Sequence, residues 1–317
     1  MTANFAVSNN GTLIFSSPPK TSLRTLEWID RLGGRERLAV EPQNYGYAMV
    51  SPDGSKVAVE RTTRGNRDIW ILDVKRLTQV QLTAGPTEDM VPVWSADGTR
   101  IFFASNRSGT FDVYSQAADG GSDAKLEFGG PETQFPNDVT PDGHQLLVLE
   151  RFRNLSVLDF AHPDRLERLL HGKSDDRLGQ ISPDGRWVAY ESNESGNQFE
   201  IVLRSFPNTQ QRREVVSVGG GRFPCWGPAK SHELYYVRPD GAMMAVPVTL
   251  APDLQLGIAR KLFDWQQPPE GVSGRLYDAA PDGRFLVTAR VESGQQGPTP
   301  VSVILNWLAG VQQHASR

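Results

Sequence analysis

Eight polar or charged side chains that could bind a ligand or take part in catalysis lie at similar positions of a pattern that repeats along the chain. Three are carboxylates and two are arginines, so a carboxylate could serve as general acid or base while a guanidinium stabilises negative charge. Asp89, Glu132 or Asp176 with Arg222 would fit a lyase or hydrolase of this kind. The same mixture of charges would also orient a polar or zwitterionic ligand, or a peptide. The candidate ligand-binding residues are Asn44, Tyr45, Asp89, Glu132, Gln134, Asp176, Arg222 and Arg275.

The sequence lacks the motifs of protein kinases, of serine hydrolases and of metal-binding sites. It has no glycine-rich kinase loop, no His-Arg-Asp and no Asp-Phe-Gly, and its nearest match to a Gly-x-Ser-x-Gly elbow, 271–275, ends in arginine. Its five histidines are scattered, and its turn aspartates lack the dense spacing of a calcium loop. We therefore predict no catalytic residues, no metal site and no cofactor, and we do not expect an enzyme.

Composition and charge narrow the possible partners. A net charge of -4 and a pI near 5.8 argue against a nucleic-acid partner. The sequence contains no apolar run of 18 residues, and its first residues have neither the basic nor the apolar part of a signal peptide, so we expect no membrane insertion. One cysteine, Cys225, rules out an internal disulfide and leaves the cellular compartment undetermined.

These candidate residues must be positioned by a repeat built around a tight turn. Proline presets φ, aspartate bonds its own backbone and glycine accepts positive φ, so x-Pro-Asp-Gly followed by an apolar run predicts a hairpin. Seven phase markers lie 42 to 52 residues apart, which is the length of a propeller blade of four antiparallel strands. The markers are Gly11, Gly54, Gly98, Gly143, Gly185, Ser231 and Gly283.

The predicted fold is all-β, a seven-bladed β-propeller of four-stranded antiparallel blades in one domain over residues 1–307, with a C-terminal tail at 308–317. A six-bladed propeller is the alternative. The seven units are expected at approximately 4–40, 47–82, 91–128, 135–170, 178–216, 223–263 and 276–307.

The ends of the chain pose a problem of ring closure for seven blades. The first unit has four predicted strands (4–7, 12–15, 25–29 and 36–40), whereas the last has three (276–279, 285–289 and 301–307). We therefore expect either a missing upstream segment or a tail that folds back over the open edge. An open edge strand would also offer a surface for association.

Several segments resemble known propeller repeats. Asp68-Ile69-Trp70, the segment 92–98, Phe103 to Arg107 and Val303 to Trp307 resemble the WD-like repeat of TolB-like propellers. They look most similar to the propeller regions that follow bacterial Ser/Thr protein kinase domains. The resemblance covers nearly the whole chain and implies an extracytoplasmic sensor or interaction domain, although no kinase domain is present.

The eight candidate residues lie in the loops that lead into the inner strands. Together with the loops that join the second to the third strands, these form what we call the upper face, where propeller ligands usually bind. We therefore predict a noncatalytic module that binds a protein, peptide or other ligand across this face. The alternative is a lyase or hydrolase acting on carbohydrate or peptide in the central channel.

Overall fold

The structure is a computed structural model that describes residues 5–8, 12–16, 23–196, 198–265, 274–291 and 301–304. The chain divides into two compact units. One comprises Met1–Arg24 with Arg290–Arg317, and the other comprises Thr25–Ala289. Most of the described residues belong to the second unit, which carries the candidate site.

The strands of the described residues are numbered in chain order. The first four are β1 (Phe5–Val7), β2 (Leu13–Ser16), β3 (Arg24–Ile29) and β4 (Arg35–Arg37). The next eight are β5 (Tyr45–Val50), β6 (Lys56–Thr63), β7 (Asn66–Asp73), β8 (Gln79–Gln81), β9 (Asp89–Trp94), β10 (Arg100–Ser105), β11 (Asp112–Ala117) and β12 (Lys125–Phe128). The following eight are β13 (Gln134–Val139), β14 (Gln145–Glu150), β15 (Asn154–Asp159), β16 (Leu166–Arg168), β17 (Asp176–Ile181), β18 (Trp187–Ser192), β19 (Glu200–Ser205) and β20 (Arg213–Val215). The last are β21 (Arg222–Trp226), β22 (Glu233–Val237), β23 (Ala242–Thr249), β24 (Gln255–Leu256), β25 (Arg260–Asp264), β26 (Tyr277–Ala279), β27 (Phe285–Arg290) and β28 (Val301–Ile304), with a 3-10 helix at Ala229–Ser231.

Six antiparallel sheets, which we call blades 1 to 6, form a closed ring. Blades 1 to 4 are β5–β8, β9–β12, β13–β16 and β17–β20, and blade 5 is β21–β25. Blade 6 has the order β26-β27-β3-β4. The inner strands contact one another in succession from β5 through β9, β13, β17 and β21 to β26, and β26 contacts β5. These six sheets therefore form a propeller of four-stranded blades, with one additional short strand in blade 5.

The prediction of seven blades is wrong, and the six-bladed alternative is confirmed. The segments expected as the third and fourth strands of a first unit are β3 and β4, and they complete blade 6 by pairing with β27. Val301–Ile304, expected in the last unit, pairs instead with β2, while 305–307 and 308–317 lie outside the described residues. Strand spacing is the same in both arrangements, so the sequence did not reveal which partner β3 takes.

Closure of blade 6 also removes the open edge from which association was expected. The third and outer strands of this blade come from the amino-terminal part of the chain, and its first two come from the carboxyl-terminal part. No upstream segment is needed to complete the described ring. That one domain extends over 1–307 stays a prediction. The other compact unit contains a three-stranded antiparallel sheet of order β1-β2-β28.

The repeated turn has the conformation that its residues predict. In blade 1, Asp53 Oδ1 accepts hydrogen bonds from Ser51 Oγ at 2.6 Å and from the Ser55 amide at 2.9 Å. Gly54 follows at φ 75°, a left-handed conformation that glycine adopts without a steric penalty. Blade 5, which lacks Pro-Asp-Gly, makes this connection with the 3-10 helix.

Apolar side chains fill the spaces between neighbouring blades. One cluster joins Leu26 and Trp28 of β3 to Tyr45, Val57 and Leu72 of blade 1. Leu26 is completely buried there. The closing strand therefore contributes hydrophobic packing as well as hydrogen bonds to the last junction of the ring.

We expect Leu26→Ala to lower the free energy of unfolding by about 2–5 kcal/mol, because it leaves a cavity beside the closing strand. Leu32→Ala, in the β3–β4 turn where the side chain is 91% exposed, should change it by less than about 0.5 kcal/mol. Urea titration followed by tryptophan fluorescence measures both. Equal unfolding midpoints for the two variants would contradict a structural role for β3.

Candidate functional site

The inner strands bulge at one level of the ring. The register shifts in five inner-strand pairs, those of β5, β9, β13, β17 and β21 with their second strands. Val91, Leu178 and Phe223 have positive φ of 55°, 54° and 58°, which is costly for residues with a Cβ. Bulges re-aim side chains and are common next to functional sites, so this level of the ring is a candidate site.

Carboxylates from the preceding blade stabilise two of these bulges. The Val91 amide donates to Glu60 Oε1 at 2.6 Å, and the Phe223 amide donates to Glu191 Oε1 at 2.6 Å. Both acids occupy the same position in their second strands, nine residues after the first serine of the turn. They are structural acceptors that connect blade 1 to blade 2 and blade 4 to blade 5.

Three of the predicted channel-mouth charges are paired on the upper face. Arg107 Nη2 lies 3.0 Å from Asp89 Oδ1, and Asp89 is completely buried. Arg151 pairs with Glu132. Arg222 Nε contacts Glu191 Oε2 at 2.8 Å, and its guanidinium lies 5.3 Å from the Phe199 ring. These groups satisfy one another and do not converge on one pocket.

Three predicted residues have structural contacts within the blades. Tyr45 is 1% exposed in the core, where its hydroxyl accepts a hydrogen bond from Gln79 Nε2 at 2.7 Å. The backbone carbonyl of Asn44 accepts from the Thr62 amide. Gln134 is buried at the start of β13. The remaining two residues, Asp176 and Arg275, occupy separate places: Asp176 faces a cavity in blade 4, and Arg275 lies in the central channel.

Arg275 crosses the central channel. It precedes the inner strand of blade 6, yet its Nη2 donates to the carbonyls of Asn137 in blade 3 and Gly179 in blade 4, at 2.9 and 3.2 Å. The side chain is 4% exposed, and Nη1 has no hydrogen-bond partner among the described residues. A buried guanidinium with an unused donor face is the most unusual polar group of the channel.

The sequence analysis missed the polar inner-strand residues around Arg275. Asp138 Oδ2 accepts the Ile181 amide and Asp278 Oδ2 accepts the Val50 amide, each at 2.8 Å. Gln180 Oε1 accepts the Trp226 amide at 2.6 Å. Each of the three side chains bonds to the next blade. Their shared position, two residues before the first residue of the turn, was a readable signal because Met49 and Val93 are apolar there.

Burial governs protonation in this channel. It raises the pKa of Asp138 to about 6, an effect that the Arg275 guanidinium opposes. Burial also raises the pKa of Asp278 and of the Cys225 thiol, which therefore stays protonated at neutral pH. In the described part of the chain, no group of three His, Cys, Asp or Glu side chains is placed to hold a metal ion.

Fold and site together define a six-bladed β-propeller with a polar central channel. The chain matches the family model described as the TolB beta propeller domain (PD40) over residues 20–230, and it belongs to that family. Within the described residues, no helix is both long and apolar enough to cross a membrane.

Two sequence relatives and one solved structure are similar to this chain. The chain is 32% identical over 150 residues to the Tol-Pal system protein TolB of Bordetella parapertussis and 26% identical over 171 residues to the uncharacterized protein Atu1656 of Agrobacterium fabrum. These alignments cover 47% and 50% of this chain, but only 33% and 58% of the relatives. The structure of a putative TolB from Agrobacterium tumefaciens has a similar fold, with a TM-score of 0.67 and 17% identity, covering 85% of this chain and 99% of that one.

We expect Asp138→Asn to change how stability depends on pH. The folded wild type holds the Asp138 proton up to about pH 6, whereas the unfolded chain releases it near 3.8. The native state therefore binds more protons in this window, and wild-type stability falls as pH rises through it. Relative to the variant, the wild type should lose about 1–3 kcal/mol between pH 4 and 6.5, measured by urea unfolding.

Asp97→Asn is the control, since the Ser95 hydroxyl lowers the pKa of Asp97 to about 2. This carboxylate contributes stability above its unfolded value and loses it only as pH falls towards 2, so its variant should run parallel to the wild type in the same window. A constant difference between wild type and Asp138→Asn would contradict the raised pKa.

Proposed function

We propose that this chain is a noncatalytic propeller module that binds a protein or peptide through its upper face. Membership of the TolB propeller family and similarity to a Tol-Pal system protein support this function. The same similarity supports an extracytoplasmic location. The resemblance to kinase-associated propellers supports a sensor role within that function.

The observation that carries the proposal is an aromatic side chain held out from a rigid turn. Arg151 and Phe152, between β14 and β15, both have positive φ, at 53° and 60°. Such strain in residues other than glycine persists where the surrounding structure requires it, and it clusters at functional sites. Phe152 is 51% exposed, although a tight turn would ordinarily carry a polar residue there.

Packing fixes the position of Phe152. Its ring centroid lies 4.7 Å from that of Phe135, which lies 5.5 Å from that of Phe111. Phe135 is buried, so it provides a fixed base beneath the exposed ring. A preorganised aromatic loses little conformational entropy on binding, which makes it an effective contact for a partner.

Ion pairs surround this aromatic contact. Arg151 pairs with Glu132, and Arg153 Nε contacts Asp175 Oδ1 at 3.0 Å. All four side chains are at least 38% exposed, so they can exchange partners without a large desolvation cost. An apolar centre with a polar, solvated rim is the usual composition of a protein-binding surface.

A lyase or hydrolase acting on carbohydrate or peptide is the second candidate. The carboxylates Asp89 and Glu132 and the arginine Arg222 pair with other side chains, as described above. The channel supports this function better, because Asp138 has a pKa of about 6, suited to a general acid, and Arg275 Nη1 is unused. Turnover of a glycan or peptide panel, abolished by Asp138→Asn, would favour the enzyme over the binding module.

Peptides that bind the purified wild-type chain are first selected from a random phage-displayed library. These peptides should bind Phe152→Ser at least about tenfold more weakly than they bind the wild type, because the variant loses a central aromatic contact. Surface plasmon resonance measures the affinities. Val80→Ser, at a 63% exposed position on the outer strand β8, is the matched control and should bind like the wild type. Failure to select any peptide, or equal binding by both variants, would argue against the upper face around Phe152.

A further inference from the structure

A cavity of about 500 Å³ lies where the loop after blade 3 meets blade 4. Its wall includes Asp176, Tyr190, Glu194 and Arg204, and Lys173 stands at its exposed rim. The volume is within the range of pockets that hold small ligands. The cavity is separate from Phe152 and from the central channel residues around Arg275.

Asp176 is a buried carboxylate that has no ion-pair partner among the residues that the structure describes. It is 6% exposed, and its oxygens accept hydrogen bonds from Ser192 Oγ at 2.6 Å and from Ser174 Oγ at 3.0 Å. In the described part of the chain, no lysine or arginine comes within 4.0 Å of it. Burial raises the pKa of Asp176, an effect that the hydrogen bonds from Ser192 and Ser174 and the charge of Arg204 oppose.

Arg204 faces the same cavity but uses its donors elsewhere. Its Nε donates to the Tyr190 hydroxyl at 2.8 Å, and its Nη1 donates to the Thr209 carbonyl at 3.1 Å. Its remaining nitrogen, Nη2, lies 3.8 Å from Glu194 Oε2. Arg204 therefore forms part of the wall and does not neutralise Asp176 directly.

In blade 2, the aspartate at the equivalent position has an arginine as its ion-pair partner. Asp89 pairs in register with Ser105, as Asp176 pairs with Ser192. Two residues after each serine, blade 2 has Arg107 and blade 4 has Glu194. Arg107 Nη2 contacts both oxygens of Asp89, at 3.0 and 3.2 Å.

The two loops share the hydrogen bonds that surround the compared side chains. The Glu88 amide donates to Asn106 Oδ1 at 2.9 Å, and the Asp175 amide donates to Asn193 Oδ1 at 2.8 Å. Glu194 is 49% exposed and pairs with Arg213 at 3.0 Å. Blade 4 thus keeps the buried acid of this arrangement but has a half-exposed carboxylate, paired with Arg213, in place of the internal guanidinium.

We propose that the blade 4 cavity binds the guanidinium group of an arginine-like ligand against Asp176, in the way that Arg107 binds Asp89. A guanidinium can contact both oxygens of a carboxylate, as Arg107 Nη2 does on Asp89, and burial strengthens that contact. Lys173 at the rim is placed to attract the carboxylate of a free arginine. Neither feature depends on a partner bound at Phe152.

Isothermal titration calorimetry of the full chain with L-arginine tests the proposal. Saturable binding is expected, and L-citrulline, which has an uncharged ureido group of the same shape, should bind at least about tenfold more weakly. Agmatine and a blocked peptide with an internal arginine distinguish the sources. Binding of the peptide at the affinity of L-arginine indicates an arginine side chain, and binding of L-arginine alone indicates the free amino acid.

Three variants locate the site. Asp176→Asn and Glu194→Arg should each weaken L-arginine binding at least about tenfold, the first by removing the carboxylate and the second by supplying an internal guanidinium as in blade 2. Glu214→Gln, an exposed carboxylate of the same blade that pairs with Arg212, should bind like the wild type. Circular dichroism confirms folding, and Glu194→Arg decides the question if Asp176→Asn does not fold. Absence of L-arginine and agmatine binding to the wild type, or undiminished binding to folded Asp176→Asn or Glu194→Arg, would overturn the proposal.

Discussion

Pairing of β27 with β3 is the interaction on which the rest of the ring depends. It joins a strand from the carboxyl-terminal part of the chain to one from the amino-terminal part, and so completes blade 6. Without β3, the second strand of this blade would present unpaired backbone groups, and Leu26 and Trp28 would be lost from the core beside blade 1. Within blade 6, β26 contacts both β21 and β5, so the inner strands form a closed ring.

Inside the closed ring, polar side chains hold neighbouring blades together. Asp138, Gln180 and Asp278 each accept a backbone amide from the next blade, and Glu60 and Glu191 do the same beside the bulges. Buried carboxylates are costly unless they are hydrogen-bonded or paired, so these contacts offset the expense of a polar channel. Arg275 adds the opposite charge by reaching across the channel to blades 3 and 4. The polar side chains of the channel therefore join neighbouring blades, and they include buried groups of both charges.

One position of the repeat carries different side chains in different blades, and so the blades have different surfaces there. Twelve residues after the first residue of the turn, blades 2, 3 and 4 carry Arg107, Phe152 and Glu194. The arginine forms an ion pair with a buried acid, the phenylalanine is half-exposed on a turn with positive φ, and the glutamate is half-exposed in the wall of a cavity. The loops that carry these residues also differ in length (106–111, 151–153 and 193–199), while the four-stranded blade is the same in each case.

Much of this architecture could be read from the sequence, because its determinants are local. Gly54 and Asp53 specify the turn through their own φ preference and hydrogen bonds, and alternating apolar runs specify strands with two buried faces. The repeat length then indicated a propeller of four-stranded blades. Asp89 and Arg222 begin the inner strands β9 and β21, and Glu132 precedes β13, but their partners Arg107, Arg151 and Glu191 could not be chosen from spacing alone.

Only the tertiary structure decided the blade count, the composition of the channel and the environment of each charge. Strand β3 forms equivalent hydrogen bonds with any complementary strand edge, so its pairing with β27 is selected by closure of the ring, which involves residues more than 250 positions apart. Likewise, Asp89 and Asp176 occupy the same position in their repeats, yet one has a guanidinium partner and the other faces a cavity. The charge state and use of a carboxylate depend on what long-range folding places around it, which the local sequence does not contain.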